Sequence, residues 1–281
     1  MIFMACLSWK PMRDHIDSPV ERPGVALISN IVYTNTTHWS GMTSRPLSLD
    51  LILPKDCINR TPRPLLIWVC GGGFVQMDRG IWLPYLLNYA YAGYAVASVD
   101  YRCAGEAQYP GAIQDVRCAI RFLRAHHSQY GIDPGRIAIM GESAGGYLAC
   151  MAALGGSRFD TGDWMDQSGD VQAVVDYYGK VGYMDREDDT CKCFVSNIPY
   201  ERMHEVAPKA FVTPDSPPFL IFHGEEDPLV PIRESEALYE ALARQGVQAD
   251  FYVVNGGKAW NRRLLSAAHR AYHPRFPEPL P

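Results

Sequence analysis

The stretch R-I-A-I-M-G-E-S-A-G-G-Y-L-A-C-M-A-A-L, residues 136–154, decides the fold prediction for this chain. It begins as a short apolar run of strand length and ends, from Tyr147 to Leu154, as a helix-like segment. Between the two, Gly141 and Gly145 stand two positions either side of Ser143, and such small residues let a strand and a helix approach closely around a sharp turn. A turn of this kind exposes the serine hydroxyl above the sheet, where it can act as a nucleophile. The alternative is a plain glycine and serine turn with a buried hydroxyl, and the strand-turn-helix context favours the nucleophile.

Strands and helices alternate along the chain on both sides of this turn. A helix is predicted from Ala112 to His126 by apolar residues at spacings of three and four, and another from Glu234 to Gln245, which Gly246 ends. Short apolar runs predict strands at 65–70, 95–100, 137–140, 173–177, 219–222 and 249–254, and an antiparallel edge hairpin at 28–33 and 47–53. The alternation predicts the α/β class, with a mostly parallel central sheet and helices on both faces.

The domain organisation follows from where this alternation starts and where it is interrupted. Residues 1–24 carry prolines among charges without a periodic pattern, which predicts a loosely ordered N-terminal arm. Residues 25–281 are predicted to form one domain. Within it, residues 183–213 contain a run of charges, a Cys-x-Cys pair and a proline, and we predict that they form a lid insertion over one edge of the sheet.

Composition narrows the function classes. The chain has 281 residues, of which 47% are hydrophobic, and a formal net charge of −5. We therefore expect a sizeable hydrophobic core. We do not expect the protein to bind nucleic acid, because the sequence has no block of Lys and Arg. No apolar run reaches the roughly 18 residues that a membrane span needs. The first residues lack a basic region and a cleavage site, and the 8 cysteines include no C-x-x-C pair. We therefore expect a soluble, cytoplasmic protein.

A second motif, C-G-G-G-F at residues 70–74, follows the first of the buried strands. A glycine run just past a strand leaves backbone N–H groups unobstructed, so they can face the negative oxygen that develops during acyl transfer. We predict that the N–H groups of Gly72, Gly73 and Ala144 form this oxyanion hole. The alternative is a tight turn that needs glycine only for positive φ.

A third motif, H-G-E-E-D-P-L-V-P at residues 223–231, follows the strand at 219–222. A carboxylate at such a strand end can orient an imidazole and stabilise its cation, as the third member of a catalytic triad does. Asp227 is the predicted acid, with Glu225 and Glu226 as competitors and solvated loop charges as the alternative. His223 is predicted to be structural, because it precedes the acid in the same loop.

In this order, the motifs resemble those of α/β-hydrolase esterases of the hormone-sensitive-lipase and feruloyl-esterase-like group. The similarity covers roughly 65–257 and also includes V-D-Y-R at 99–102, Tyr109-Pro110 and Asp115, although Cys70 stands where the usual glycine motif begins with histidine. The resemblance implies the α/β-hydrolase fold and hydrolysis of small-molecule carboxylic esters by Ser143, Asp227 and a following histidine, with no metal and no cofactor. By analogy with the family, the lid shapes the acyl or alcohol pocket, and its aromatic residues suit feruloyl or acetylated-sugar esters.

The resemblance breaks where the general base belongs. After their last strand such enzymes usually carry a glycine-rich turn ending in His-Gly, whereas this chain continues N-G-G-K-A-W-N-R-R at 255–263. A codon series for the residues from Lys258 onward, read after the loss of one base, encodes Lys-His-Gly-Thr-Gly-Gly. We therefore hypothesise a change of reading frame near Lys258. In the chain as it stands, His269 and His273 are the remaining candidates; His269 is the predicted base, with a solvated surface histidine as the alternative.

Two other functions compete with ester hydrolysis. A non-catalytic hydrolase-fold protein that binds a small molecule would keep the pocket and lack the base. A zinc site could use His204, Cys191 and Cys193, but their spacing is poor for metal ligands. A peptidase of the prolyl-oligopeptidase type needs a large propeller for which the chain has no room. The oligomeric state is not predicted.

Overall fold

An eight-stranded sheet forms the centre of the computed structural model, which describes residues 24–37, 41, 44–55, 62–182 and 189–256. The strands lie in the order β1-β2-β4-β3-β5-β6-β7-β8. Strand β2 is antiparallel to both neighbours, and the pairs from β4 to β8 are parallel. The strands are β1 Val25–Thr37, β2 Ser44–Pro54, β3 Arg63–Val69, β4 Ala95–Val99, β5 Ile132–Glu142, β6 Ala173–Tyr177, β7 Phe219–Gly224 and β8 Ala249–Val254.

Helices cover both faces of this sheet. Apolar residues of α2, α4 and α6 pack into the core on one face, and those of α1 pack on the other. The helices are α1 Leu83–Tyr91, α2 Gly111–Ala125, α3 His127–Tyr130, α4 Ala144–Leu154, α5 Asp189–Lys192 and α6 Arg233–Arg244. Within the described residues, short 3₁₀ segments lie at Gly156–Phe159, Tyr200–Val206 and Pro208–Phe211. The predicted α/β class is therefore confirmed, including the antiparallel hairpin at the sheet edge.

Among the longer helices in the part of the chain that the structure describes, α1 is the one that the sequence did not predict. Its residues, L-P-Y-L-L-N-Y-A-Y, include no charged side chain and are apolar almost all round, so they show no amphipathic period. It forms because Leu86, Tyr89 and Ala90 are buried against the sheet, and because Pro84 occupies its first turn, where a missing N–H costs nothing.

Helix α2 carries two buried arginines on what the sequence pattern treats as its polar side. Arg117 and Arg121 are fully buried, and both bind the carboxylate of Asp160, with a distance of 2.7 Å from Arg117 Nε to Asp160 Oδ1. The two guanidiniums also donate to the backbone oxygens of Ala152 and Thr161. This charge-paired network fastens α2 to the chain that follows α4, the helix that begins after Ser143.

Among the residues that the structure describes, no helix is both long enough and apolar enough to cross a membrane.

Candidate active site

Ser143 lies at the turn between β5 and α4, with strained backbone angles. Its φ of 54° and ψ of −120° fall in a region that non-glycine residues rarely occupy, and such strain clusters at functional sites. The Ser143 N–H donates to the backbone oxygen of Tyr177, at the end of β6, over 2.9 Å. Strand β5 thus ends in a sharp turn, held by its neighbour in the sheet, with the serine at its apex.

The two glycines of the motif are required by the closeness of three backbone segments. A Cβ atom on Gly145 would lie 2.1 Å from the backbone oxygen of Val69 in β3, and one on Gly141 would lie 2.3 Å from the backbone oxygen of Gly145. Backbone atoms in a sheet cannot move aside as a side chain can. The sequence predicted this close approach, and the structure gives its cause: α4 begins directly against the end of β3.

The glycine loop after β3 is also in backbone conformations that favour glycine. Gly72 and Gly73 have φ values of 144° and 62°, and a Cβ atom on Gly72 would lie 2.0 Å from the backbone oxygen of Gln76. Gly72 accepts hydrogen bonds from the N–H groups of Val75 and Gln76 through its oxygen. Its own N–H and that of Gly73 donate to no described residue. Two of the three predicted oxyanion donors are therefore not used by hydrogen bonds within the described structure.

Two buried side chains hold the start of this loop. The Glu142 carboxyl accepts the N–H of Gly71 over 2.6 Å, and the Tyr101 hydroxyl donates to the backbone oxygen of Cys70 over 2.6 Å. Burial raises the pKa of Glu142 to about 7. Sequence reasoning missed Glu142, because the second position of the serine motif carries no requirement of its own; Tyr101 belongs to the V-D-Y-R segment, but no role was predicted for it.

Asp227 differs from the two glutamates beside it. Its side chain is 0% exposed, whereas Glu225 and Glu226 are exposed to solvent. Its Oδ1 accepts the N–H groups of Leu229 and Val230, both over 2.9 Å, which fixes the carboxylate plane. Its Oδ2 is buried and accepts no hydrogen bond from the described residues. The loop therefore presents one fixed carboxylate with one oxygen available for a donor.

His223 does not supply that donor. Its Nε2 is 4.0 Å from Asp227 Oδ2, beyond hydrogen-bond distance. Its ring nitrogens are instead taken up by the hydroxyl of Ser235, 2.8 Å from Nδ1, and by the backbone oxygen of Val230, 2.7 Å from Nε2. Burial lowers the pKa of His223 and favours the neutral ring. The contacts match the structural role predicted for His223.

The chain leaves β8 beside the loop that carries Asp227. Gly224 and Val254 pair at the ends of β7 and β8, and the N–H of Glu225 donates to the oxygen of Val254 over 3.1 Å. Asn255 and Gly256 therefore follow directly from a position that is paired with the start of the Asp227 loop. Lys258, His269 and His273 lie outside the described residues.

The described part of the predicted lid packs on the glycine loop and on α4. The Phe194 ring stacks on Phe74, with ring centroids 4.4 Å apart, and meets Tyr147 edge to face at 5.8 Å. Tyr147, one turn beyond Ser143, donates its hydroxyl to the oxygen of Val206 over 2.8 Å. The described part of this segment is therefore joined by aromatic packing to both elements that carry the candidate catalytic groups.

No group of three or more His, Cys, Asp or Glu side chains among the described residues is arranged to hold a metal ion. The described residues include His204, Cys191 and Cys193, which form no such group and give the zinc alternative no support.

The fold and the turn at Ser143 define the class of the protein as an α/β hydrolase. A protein-family model, BD-FAE, matches residues 49–242, and the chain belongs to this family. The match includes both Ser143 and Asp227 and ends before β8.

Relatives found by sequence include esterases of Mycobacterium tuberculosis and of plants. Esterase LipC is 33% identical over 208 residues, which are 69% of this chain and 51% of LipC. Esterase LipQ is 29% identical over 255 residues, which are 85% of this chain and 58% of LipQ. The chain thus spans about half the length of the curated relatives it matches.

Solved structures share the fold over almost the whole chain. A truncated carbohydrate esterase from gut microbiota has a TM-score of 0.74 and 26% identity, covering 92% of this chain and 98% of its own. The propionate-bound esterase Est2 of Thermogutta terrifontis has a TM-score of 0.74 and 21% identity. The match covers 95% of this chain and 100% of the Est2 chain. The second likeness shows the fold alone.

Proposed function

We propose that this chain is a serine carboxylesterase that hydrolyses small-molecule carboxylic esters through an acyl-Ser143 intermediate. The observation that carries the proposal is the strained positive-φ turn that presents Ser143 between a strand and a helix. The esterase relatives support the same activity and do not favour the non-catalytic alternative.

In the proposed mechanism a general base takes the proton of the Ser143 hydroxyl as its oxygen attacks the ester carbonyl carbon. The carbonyl oxygen becomes negative in the tetrahedral intermediate and is stabilised by the N–H groups of Gly72, Gly73 and Ala144. The protonated base then gives its proton to the leaving alcohol. Water attacks the acyl-serine in the same way and releases the acid. No step needs a metal or a cofactor.

The free oxygen of Asp227 supports its proposed role as the residue that orients the base. A carboxylate with one oxygen fixed by two N–H groups and the other buried and available can accept an imidazole N–H and hold the ring in one tautomer. The hypothesis of a changed reading frame supplies this imidazole in place of Ala259, a few residues beyond the end of β8. In the chain as it stands, His269 is the candidate base.

The substrate class is proposed from the lid and from one relative. Phe194, in the predicted lid, stacks on Phe74 of the glycine loop, so the lid borders the proposed oxyanion donors and can shape the acyl or alcohol pocket. One structural relative is described as a carbohydrate esterase, which favours an ester of a sugar hydroxyl. We therefore propose feruloyl or acetylated-sugar esters as the substrates to test first.

The cysteines favour the cytoplasm as the place of action. All six described cysteines are free thiols, and Cys70, Cys118, Cys150 and Cys191 are buried, a state that a reducing compartment preserves.

The proposed activity is tested by labelling with a fluorophosphonate and by turnover of p-nitrophenyl acetate. Labelling is expected on the peptide that contains Ser143, and Ser143→Ala should abolish it while leaving the fold intact. A label on another residue, or unchanged labelling of Ser143→Ala, would refute the assignment of the nucleophile. Binding of ester analogues without turnover in any variant would favour the non-catalytic alternative.

A further inference from the structure

Glu142 is a buried carboxyl directly beneath the glycine loop. It is 3% exposed and precedes Ser143 at the end of β5. Its Oε1 accepts the N–H of Gly71 over 2.6 Å, and its Oε2 accepts the hydroxyl of Tyr178 over 3.3 Å. One side chain therefore connects the nucleophile turn, the glycine loop and the segment after β6.

The contact between Glu142 and Gly71 leaves no spare room. A Cβ atom on Gly71 would lie 2.6 Å from Oε1 and 2.7 Å from Oε2 of Glu142, so only glycine lets the loop descend onto the carboxyl. The ionisable groups that face this carboxyl are the Cys70 thiol from the end of β3 and the Tyr178 hydroxyl from the segment after β6. Burial raises the pKa of the Cys70 thiol to about 12, so this thiol adds no negative charge beside the carboxyl near pH 7.

The N–H of Gly71 and the N–H groups of the next two residues have different uses. Glu142 takes the N–H of Gly71, whereas those of Gly72 and Gly73 donate to no described residue. Fixing one peptide plane limits the orientations of the planes that follow it, because each residue has only two soft dihedral angles. The first peptide of the loop is also held on its oxygen side, where Tyr101 donates to Cys70.

We propose that Glu142 is a positioning residue of the oxyanion hole: by holding the N–H of Gly71, it orients the N–H groups of Gly72 and Gly73 toward the developing oxyanion. This inference rests on the proposed function and deepens it. Glu142 does not touch the substrate, and it acts through the glycine loop. A neutral acceptor at the same place would serve as well, since a carboxyl and an amide oxygen both accept an N–H.

The test compares Glu142→Leu, which removes the acceptor, with Glu142→Gln, which keeps an acceptor oxygen of the same shape. The exposed Glu240 of α6 supplies the matched control, Glu240→Leu. The first readout is hydrogen-deuterium exchange of the Gly71 amide and the loop that follows it, which does not depend on activity. Glu142→Leu should speed exchange at Gly71 by about tenfold or more, the fold-change of one lost hydrogen bond to a carboxyl, and Glu142→Gln should not.

The second readout is ester hydrolysis together with inhibition by a boronic acid, which forms a tetrahedral adduct with a serine. Glu142→Leu should lower kcat by about 10²-fold and weaken binding of the boronic acid, because the oxyanion donors are displaced. KM should change by less than about threefold. Glu142→Gln should recover most of kcat. Equal loss in the Leu and Gln variants, or a loss confined to KM, would overturn the proposal.

The two readouts separate this proposal from the proposed function. If neither the parent chain nor its variants hydrolyse any ester, the proposed function fails, and the exchange measurement still decides whether Glu142 holds the loop. If exchange at Gly71 is the same in Glu142→Leu, Glu142→Gln and Glu240→Leu, the positioning role is wrong whatever the activity.

Discussion

Replacing Gly145 by alanine perturbs the contact on which the candidate site depends most. The added Cβ atom would lie 2.1 Å from the backbone oxygen of Val69, a distance that a real Cβ atom does not tolerate. Both partners are backbone, so α4 and the end of β3 must separate by about 1 Å to relieve the overlap. The separation would displace Ser143 relative to the glycine loop, since the first is attached to α4 and the second to β3.

The expected cost has two parts. Overpacking costs up to about 3 kcal/mol at a site where neither neighbour can yield, and the better helix propensity of alanine in α4 returns about 1 kcal/mol. The net loss of unfolding free energy is then about 2 kcal/mol. A misplacement of about 1 Å lowers the rate of acyl transfer by about 10²-fold.

Urea unfolding and fluorophosphonate labelling of Ser143 measure these two effects. Gly105→Ala is the control, because a Cβ atom there has no heavy atom within 4 Å and φ is not in the left-handed region. It should change stability by no more than about 0.5 kcal/mol and leave labelling unchanged. If Gly145→Ala behaves like Gly105→Ala in both measurements, the close approach of α4 and β3 does not support the nucleophile.

Two further predictions concern the oxyanion hole and the buried Asp176. Gly73→Pro removes one donor and cannot adopt the φ of 62°, so kcat should fall by about 10²- to 10³-fold, and a folded variant with normal kcat would place the hole elsewhere. Burial raises the pKa of Asp176 to about 7, above its ordinary value of 3.8. Between about pH 4 and pH 7 the folded chain therefore keeps a proton that the unfolded chain releases. The contribution of Asp176 to the free energy of unfolding falls as the pH rises through this range. Asp176→Asn does not titrate; in urea unfolding its stability relative to the parent should therefore rise by about 4 kcal/mol between pH 4 and pH 8, and a difference independent of pH would contradict the raised pKa.

The repeating parts of the fold were predictable from the sequence because each follows a local pattern. The buried strands on both sides of Ser143 are short apolar runs, and the helix around Val116 and Ile120 shows the spacing of one buried face. The motif at 141–145 predicted the turn, since close approach of a strand and a helix excludes all but small residues.

Features set by distant partners were not predictable in this way. Arg117 and Arg121 are buried because Asp160 reaches them from about 40 positions away, and no local pattern marks that pairing. The choice among Glu225, Glu226 and Asp227 also required the folded structure. The three acids are adjacent in sequence, and they differ in burial: only the Asp227 side chain is buried.

The source of the general base is the central question for this chain. The proposed nucleophile, oxyanion donors and acid lie within the described residues, with Asp227 Oδ2 available as an acceptor, but the histidine expected after β8 is absent from its place. The hypothesis of a changed reading frame predicts that the chain as it stands is a weak esterase and that a histidine in place of Ala259 restores it. A faint residual activity is compatible with this hypothesis, because oxyanion stabilisation and substrate binding alone accelerate hydrolysis by about 10³- to 10⁴-fold over the reaction in water.

The most direct test measures kcat/KM for p-nitrophenyl acetate in four chains: the parent, His269→Ala, the double variant Ala259→His with Trp260→Gly, and its matched control Ala259→Asn with Trp260→Gly. The account predicts weak and equal activity in the parent, His269→Ala and the control, and a gain of at least about 10²-fold in the double variant that carries the new histidine. Strong activity in the parent that disappears in a folded His269→Ala would contradict the changed reading frame and assign the base to His269.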